Sequence, residues 1–117
     1  MSPPEYLTQL FSLQGQTAVV IGGAGVLGGA IAEGFAQAGA NVVLAGRDPQ
    51  KGAERLHAIR GRGVAAEFIS CEATNRESLR GLHAATSEKF GKVDILVNCA
   101  GLNSAIPYEE ITEEDWH

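Results

Sequence analysis

The stretch TAVVIGGAGVLGGAIA, residues Thr17–Ala32, joins a short apolar run to a glycine cluster and then to a segment of helical composition. The run TAVVIG (Thr17–Gly22) is rich in β-branched residues, which predicts a buried strand. Gly23, Gly25 and Gly28 fit the pattern G-x-G-x-x-G. In that pattern the first glycine makes a tight turn, the second allows a pyrophosphate to approach the backbone, and the third lets the helix pack on the strand. The stretch therefore predicts a strand, a phosphate-binding turn and a helix.

The rest of the chain repeats this alternation of strand and helix. Three further strand-like segments follow the first, at Asn41–Gly46, Val64–Ser70 and Val93–Asn98. Segments of helical length separate them, at Val26–Ala38, Pro49–Arg60 and Arg76–Phe90. Each predicted helix is followed directly by a glycine, the residue that most often ends a helix. A β-α-β-α-β-α-β order predicts parallel strands joined by right-handed crossovers, with helices on both faces. We expect an α/β fold with a Rossmann-like doubly wound parallel sheet in strand order 3-2-1-4.

The last residues of the chain have the composition of a helix start. Thr112 is a good N-cap, and acidic residues follow it at positions 113–115, where the positive end of a helix dipole favours negative charge. The sequence ends at His117, about one helical turn later. The fourth strand would also lie at an open edge of the sheet, although its apolar sequence is typical of a central strand. We therefore expect residues 1–117 to form a single dinucleotide-binding domain, truncated after the fourth strand and incomplete at its C-terminus.

Composition excludes several classes of function. The 117 residues are 44% hydrophobic and 20% charged, which is typical of a globular domain, and the formal net charge is −5. A negative charge argues against nucleic acid or an anionic membrane as a partner, because both favour a basic surface. No apolar run is long enough to span a membrane, and the first residues lack the basic start of a signal peptide. We expect a cytoplasmic protein.

Neither the cysteines nor the histidines indicate a metal site or a disulfide. Cys71 and Cys99 follow strands that the predicted order separates by three positions, about 14 Å at ~4.8 Å per strand. A disulfide needs Cα atoms within roughly 7 Å, so free thiols are expected. His57 and His83 lie in predicted helices without further ligands at metal-binding spacing, and we expect no metal site.

The end of the second strand indicates which dinucleotide would bind. An acidic residue at this place would bind the ribose hydroxyls and repel a 2′-phosphate. The chain instead has Gly46 followed by Arg47, whose guanidinium can form a fork of hydrogen bonds to a phosphate. Asp48, next to it, would weaken this preference. The residues favour NADP(H), with NAD(H) as the alternative, and an ordinary solvated loop arginine also remains open.

With these residues in place, the chain resembles the N-terminal half of a short-chain dehydrogenase/reductase of the classical type, with a weak similarity to members that act on sugar acids. The family motif T-G-x-x-x-G-x-G aligns with Ile21, Gly22, Val26 and Gly28, so that Ile21 replaces threonine and Val26 the middle glycine. The family's N-N-A-G aligns with Asn98-Cys99-Ala100-Gly101, and its acid–apolar pair at the adenine with Glu72-Ala73. The resemblance and the glycine turn together imply these cofactor-binding residues: Gly22, Gly23, Gly25, Val26, Leu27, Gly28, Arg47, Glu72, Ala73, Asn98, Ala100 and Gly101.

The resemblance also implies that no catalytic residue lies in these 117 residues. The family uses a Tyr-x-x-x-Lys pair with a serine and an asparagine. Leu10 and Thr112 stand four residues after Tyr6 and Tyr108, where lysine would be needed. The chain alone is therefore expected to be inactive.

Two functions of different classes follow from these residues. The first is the cofactor-binding half of an NADP(H)-dependent oxidoreductase that interconverts a carbonyl and a hydroxyl group of a small molecule and is a possible homo-oligomer. The alternative is a non-catalytic dinucleotide-binding or interaction module that pairs through its exposed fourth strand. A third hypothesis is that the chain is a remnant that binds no ligand specifically.

Overall fold

The computed structural model describes residues 1–101 and 106–116 and contains one parallel sheet with helices on both faces. The strands are β1 (Thr17–Ile21), β2 (Asn41–Gly46), β3 (Ala66–Ser70) and β4 (Ile95–Asn98). The α-helices are α1 (Pro3–Phe11), α2 (Val26–Gln37), α3 (Pro49–Arg60) and α4 (Arg76–Phe90). Two single turns of 3-10 helix follow, at Tyr108–Glu110 and Glu114–Trp116.

The strands lie in the order β3-β2-β1-β4, and each neighbouring pair is parallel. This confirms the predicted α/β fold and the order 3-2-1-4. Two strands begin later than predicted, β3 at Ala66 and β4 at Ile95. At β4 the reason is visible, because the Asp94 carboxylate accepts a hydrogen bond from the Thr17 N–H at 2.8 Å, ahead of the first paired residue.

The side chains of the strands alternate between two apolar layers. On one face, α2 and α3 cover a cluster that includes Val20, Leu44 and Ile59. On the other face, α4 contributes Leu82 to a cluster around Val43. All five residues of β1 are buried, as expected for a strand covered on both faces.

Side chains and glycines at the helix ends fix where α3 begins and where α4 begins and ends. The Asp48 carboxylate caps α3 by accepting hydrogen bonds from the N–H groups of Gln50 and Lys51, at 3.0 and 3.2 Å. Asn75 caps α4 in the same way, and Gly91 ends that helix in the left-handed conformation at φ +78°. Gly91 is the glycine that the sequence predicts directly after this helix.

The chain termini pack less closely than the sheet. Helix α1 has a capping box between Ser2 and Glu5, but none of its residues is buried. Near the other end, the Asp115 carboxylate accepts hydrogen bonds from the Thr112 N–H and hydroxyl, both at 2.8 Å. A single turn of 3-10 helix, Glu114–Trp116, lies where the sequence predicts the start of a helix, and the Thr112 hydroxyl donates to Asp115 instead of acting as the predicted N-cap. No helix in residues 1–101 and 106–116 has the length and apolar character needed to cross a membrane.

Candidate functional site

A cleft of about 680 Å³ opens at the carboxyl ends of the four strands. Ile21, Gly46, Cys71 and Asn98, at or directly after the ends of β1, β2, β3 and β4, all line it. The crossover from β1 leads to β2 on one side, whereas β4 lies on the other side of β1. The cleft is therefore at the point where the strand order reverses, the usual ligand site of an open α/β sheet.

The glycine turn after β1 forms the floor of this cleft. Gly22 has φ +82°, a left-handed conformation that side chains rarely adopt, and its carbonyl accepts a hydrogen bond from Gly25 N–H at 3.1 Å. A Cβ on Gly28 would overlap that carbonyl, and one on Gly23 would lie 2.7 Å from the Leu44 side chain. The residue that must be glycine for its backbone conformation is therefore Gly22, whereas the motif assigns the tight turn to Gly23. Gly23 and Gly28 are needed because a side chain at either position would overlap neighbouring atoms.

The N-terminus of α2 faces this turn without a side-chain cap. Its N-cap residue, Gly25, is extended and supplies no side-chain hydrogen bond, and the first turn has no acidic residue. The first N–H groups of a helix lack partners within the helix, so this end is able to bind an anion. Gly25 lines the cleft, whereas Val26 and Leu27 point into solvent and are 85% and 68% exposed.

Charged side chains surround the end of the cleft near β2 and β3. An Arg47 guanidinium nitrogen lies 3.7 Å from a Glu72 carboxylate oxygen, and both side chains are partly exposed. Asp48, the acid expected to weaken the charge of Arg47, instead has its carboxylate at the N-terminus of α3. Lys51 also lines the cleft. Lys51 is absent from the residues predicted from sequence. Its position in the first turn of α3, four residues after Arg47, could have indicated that it lies near Arg47.

At the other end of the cleft, the segment after β4 packs on the glycine turn. Cys99 N–H donates to the Ile21 carbonyl at 2.8 Å, and the Asn98 side-chain oxygen accepts from Ala100 N–H at 3.1 Å. A Cβ on Gly22 would come within 3.0 Å of the Cys99 backbone. The two motifs that are far apart in sequence thus form one surface.

Eight of the twelve predicted cofactor residues line the cleft, namely Gly22, Gly25, Arg47, Glu72, Ala73, Asn98, Ala100 and Gly101. Four do not, namely Gly23, Val26, Leu27 and Gly28. Eight further residues line the cleft and are absent from that prediction, namely Ile21, Ala24, Gly46, Asp48, Lys51, Cys71, Thr74 and Cys99. For Ala24 and Thr74 the sequence gives no signal, because small side chains in turns are common on any surface.

Cys71 and Cys99 both line the cleft, and both are free cysteines. Within the described residues, 1–101 and 106–116, no group of three or more His, Cys, Asp or Glu side chains could hold a metal ion.

Comparison with known proteins identifies relatives across almost the entire chain. A family model described as short chain dehydrogenase matches residues 16–117. Gluconate 5-dehydrogenase of Gluconobacter oxydans is 34% identical over 116 residues, which cover 99% of this chain and 44% of that protein. The chain spans less than half the length of the curated relatives that it matches.

Solved structures agree with the fold and differ in the cofactor they contain. A 3-oxoacyl (acyl-carrier-protein) reductase from Agrobacterium tumefaciens C58 with NADP bound superposes with a TM-score of 0.79 at 33% identity, covering 93% of this chain and 42% of that chain. An NAD⁺-bound xylitol dehydrogenase superposes with a TM-score of 0.79 at 28% identity, covering 88% and 40%.

Proposed function

Because this chain belongs to the short-chain dehydrogenase family, we propose that its cleft binds NADP(H) and that it is the cofactor-binding part of an oxidoreductase. The main support is the uncapped N-terminus of α2 behind the Gly22–Gly25 turn, at the point where the strand order reverses. Backbone N–H groups and the helix dipole at such a turn favour a pyrophosphate. The bound dinucleotide supplies the hydride chemistry, and the residues of this chain bind and orient it.

The lining residues fit the parts of a dinucleotide from one end of the cleft to the other. Glu72 and Ala73 would contact the adenine, and Arg47 with Lys51 would bind a 2′-phosphate. Gly22 and Gly25 would approach the pyrophosphate, and residues 98–101 would bind the ribose next to the nicotinamide. The support for this order is the arrangement of the lining, since basic side chains lie only at the β2 end of the described cleft surface.

The preference for NADP(H) over NAD(H) follows from Arg47. A guanidinium can form two parallel hydrogen bonds to a phosphate, and a hydrogen bond to a charged group contributes about 1.5–3 kcal/mol. The relatives include both an NADP-bound and an NAD⁺-bound structure, so the preference rests on the residues of this chain. NAD(H) is the alternative cofactor.

The reaction of the complete enzyme would interconvert a carbonyl and a hydroxyl group of a small molecule. Relatives named for gluconate and xylitol favour a sugar-derived substrate. The 117 residues contain no Tyr-x-x-x-Lys pair, so the chain alone should leave the nicotinamide absorbance of NADPH unchanged when a carbonyl substrate is added. We place the protein in the cytoplasm, in keeping with its free thiols.

Substitution of Gly25 tests whether the glycine turn binds the cofactor. A Cβ at this position would lie 3.3 Å from the Gly22 carbonyl oxygen, so Gly25→Ala needs only a small adjustment of the turn and should fold. The methyl group would occupy space that the pyrophosphate needs. We expect the affinity for NADPH, measured by nicotinamide fluorescence, to fall by about tenfold or more, in line with the loss of one charge-assisted hydrogen bond.

Gly34→Ala is the matched control, because Gly34 is also in α2 but has no atom within 4 Å of an added Cβ. This variant should bind NADPH as the wild type does. Thermal unfolding curves establish that the Gly25→Ala variant is folded. If the folded variant then binds NADPH as tightly as the wild type does, the glycine turn is not the cofactor site.

The alternative function is an interaction module that pairs through β4. It is favoured by one observation, an apolar groove of about 390 Å³ beside this edge strand, between α4 and the sheet. Self-association of the chain and dinucleotide binding by the cleft are separate measurements, and association without binding would favour this alternative.

A further inference from the structure

Arg47 and Glu72 form an ion pair across the end of the cleft where the adenosine would lie. Arg47 directly follows β2 and Glu72 lies two residues beyond β3, and these strands are neighbours in the sheet. The nearest guanidinium and carboxylate atoms are 3.7 Å apart, and both residues line the cleft. Arg47 is thus already paired with an acid at the place where a 2′-phosphate would need it.

Glu72 is the more firmly held partner of this pair. Its second carboxylate oxygen accepts a hydrogen bond from the Thr74 hydroxyl at 3.1 Å, and its backbone N–H donates to the Ser78 hydroxyl at 2.8 Å. The Arg47 side chain is 73% exposed, compared with 44% for Glu72. A long and exposed arginine can change partners more easily than a glutamate whose carboxylate and backbone N–H are each bonded to a hydroxyl group.

The two other charged side chains at this end of the cleft, Asp48 and Lys51, differ in whether they already have a bonding partner. The Asp48 carboxylate is used as the cap of α3. Lys51 lines the cleft, and no ion pair joins it to an acid of the described residues. Glu72 is therefore the acid that opposes a phosphate here, and Lys51 is a cation that could assist one.

We propose that Glu72 sets the cofactor specificity of this chain by competing with the 2′-phosphate for Arg47. A ligand with a 2′-phosphate must separate Arg47 from Glu72, while Lys51 contributes a second positive charge to the phosphate. A ligand without that phosphate leaves the ion pair in place. Glu72 thus lowers the preference for NADP(H) and keeps NAD(H) usable. This inference rests on the proposed function, because it concerns the same cleft.

A double-mutant cycle measures the competition directly. The probes are adenosine 2′,5′-bisphosphate and adenosine 5′-monophosphate, titrated by calorimetry into the wild type, Glu72→Gln, Arg47→Gln and the double variant. Both probes contain the adenine that Glu72 would contact, so the competition is measured by the ratio of the bisphosphate affinity to the monophosphate affinity. We expect Glu72→Gln to raise this ratio about 3- to 10-fold, because exposed ion pairs and repulsions are individually weak. The gain should disappear when Arg47 is also replaced.

Glu77→Gln is the matched control, since it removes the same charge from an exposed acid that pairs with Arg80 away from the cleft. It should leave both affinities within about twofold of the wild type. Lys51→Gln should lower the affinity for the bisphosphate alone, by about 3- to 10-fold.

Three results would overturn the inference. These are no gain from Glu72→Gln, an equal gain from Glu77→Gln, and a gain that persists without Arg47. In each of them the wild type still binds a dinucleotide, so the proposed function stands while the role of Glu72 fails. Absence of binding of both probes and of NADPH to the wild type would instead reject the proposed function and this inference together.

Discussion

Asp94 connects two strands that are distant in sequence through a single carboxylate. Its side chain accepts a hydrogen bond from Thr17 N–H at 2.8 Å, and its own N–H donates to the Thr17 carbonyl at 2.9 Å. The pKa of the Asp94 carboxyl is lowered from its ordinary value, mainly by the hydrogen bond from the Thr17 backbone. Lys92, whose ammonium group is 3.2 Å away, acts in the same direction, and partial burial opposes both. The ionised form of Asp94 therefore stabilises the start of both strands.

We predict that Asp94→Ala lowers the stability of the chain at neutral pH and that the difference from the wild type disappears in acid. A carboxyl whose pKa is lowered by folding stabilises the protein above its unfolded pKa, near 3.9, and loses this effect as the pH falls through the folded value. Urea unfolding at a series of pH values measures the difference. Glu88→Ala, at an exposed position of α4, is the control. A difference for Asp94→Ala that stays constant down to the lowest pH would contradict the prediction.

At the scale of the element, β4 has the sequence of a central strand and the position of an edge. Leu96 is 63% exposed, and Val93 and His83 line the apolar groove between β4 and α4. An apolar strand at an open edge presents unpaired backbone groups and a face that other proteins can cover. We therefore expect this edge to be the main site of association between copies of the chain.

We predict that the chain self-associates and that Leu96→Lys weakens this association several-fold, because a charged side chain on an edge strand opposes pairing. Sedimentation equilibrium over a range of concentrations gives the dissociation constants. Leu10→Lys is the matched control, because it places the same charge on an equally exposed apolar residue, 57% exposed, in α1. A monomeric wild type, or an equal effect of both substitutions, would exclude β4 as the interface.

The elements also show which parts of the fold could be predicted from sequence. The bounds of α3 agree residue for residue with the prediction, because Asp48 with Pro49 and Gly61 mark its ends locally. The starts of β3 and β4 could not be predicted, since they depend on pairing with distant residues. For the same reason the sequence located the glycine turn but not the ion pair between Arg47 and Glu72, which arises only when β2 and β3 become neighbours.

In the molecule as a whole, the residues proposed to bind a dinucleotide come together at one cleft. One cleft is lined by the glycine turn after β1, Arg47 after β2, Glu72 after β3 and Asn98 at the end of β4, although Gly22 and Asn98 lie 76 positions apart in the sequence. Membership in the short-chain dehydrogenase family gives the same expectation independently.

The most direct measurement is a calorimetric titration of the 117-residue chain with NADP⁺ and, separately, with NAD⁺. We expect saturable binding of both, about tenfold tighter for NADP⁺ because Arg47 and Lys51 would contact only the 2′-phosphate. The Arg47→Gln variant should lose most of this preference and keep the smaller part that Lys51 supplies. Absence of binding of either dinucleotide to the folded chain would show that the cleft is not a dinucleotide site.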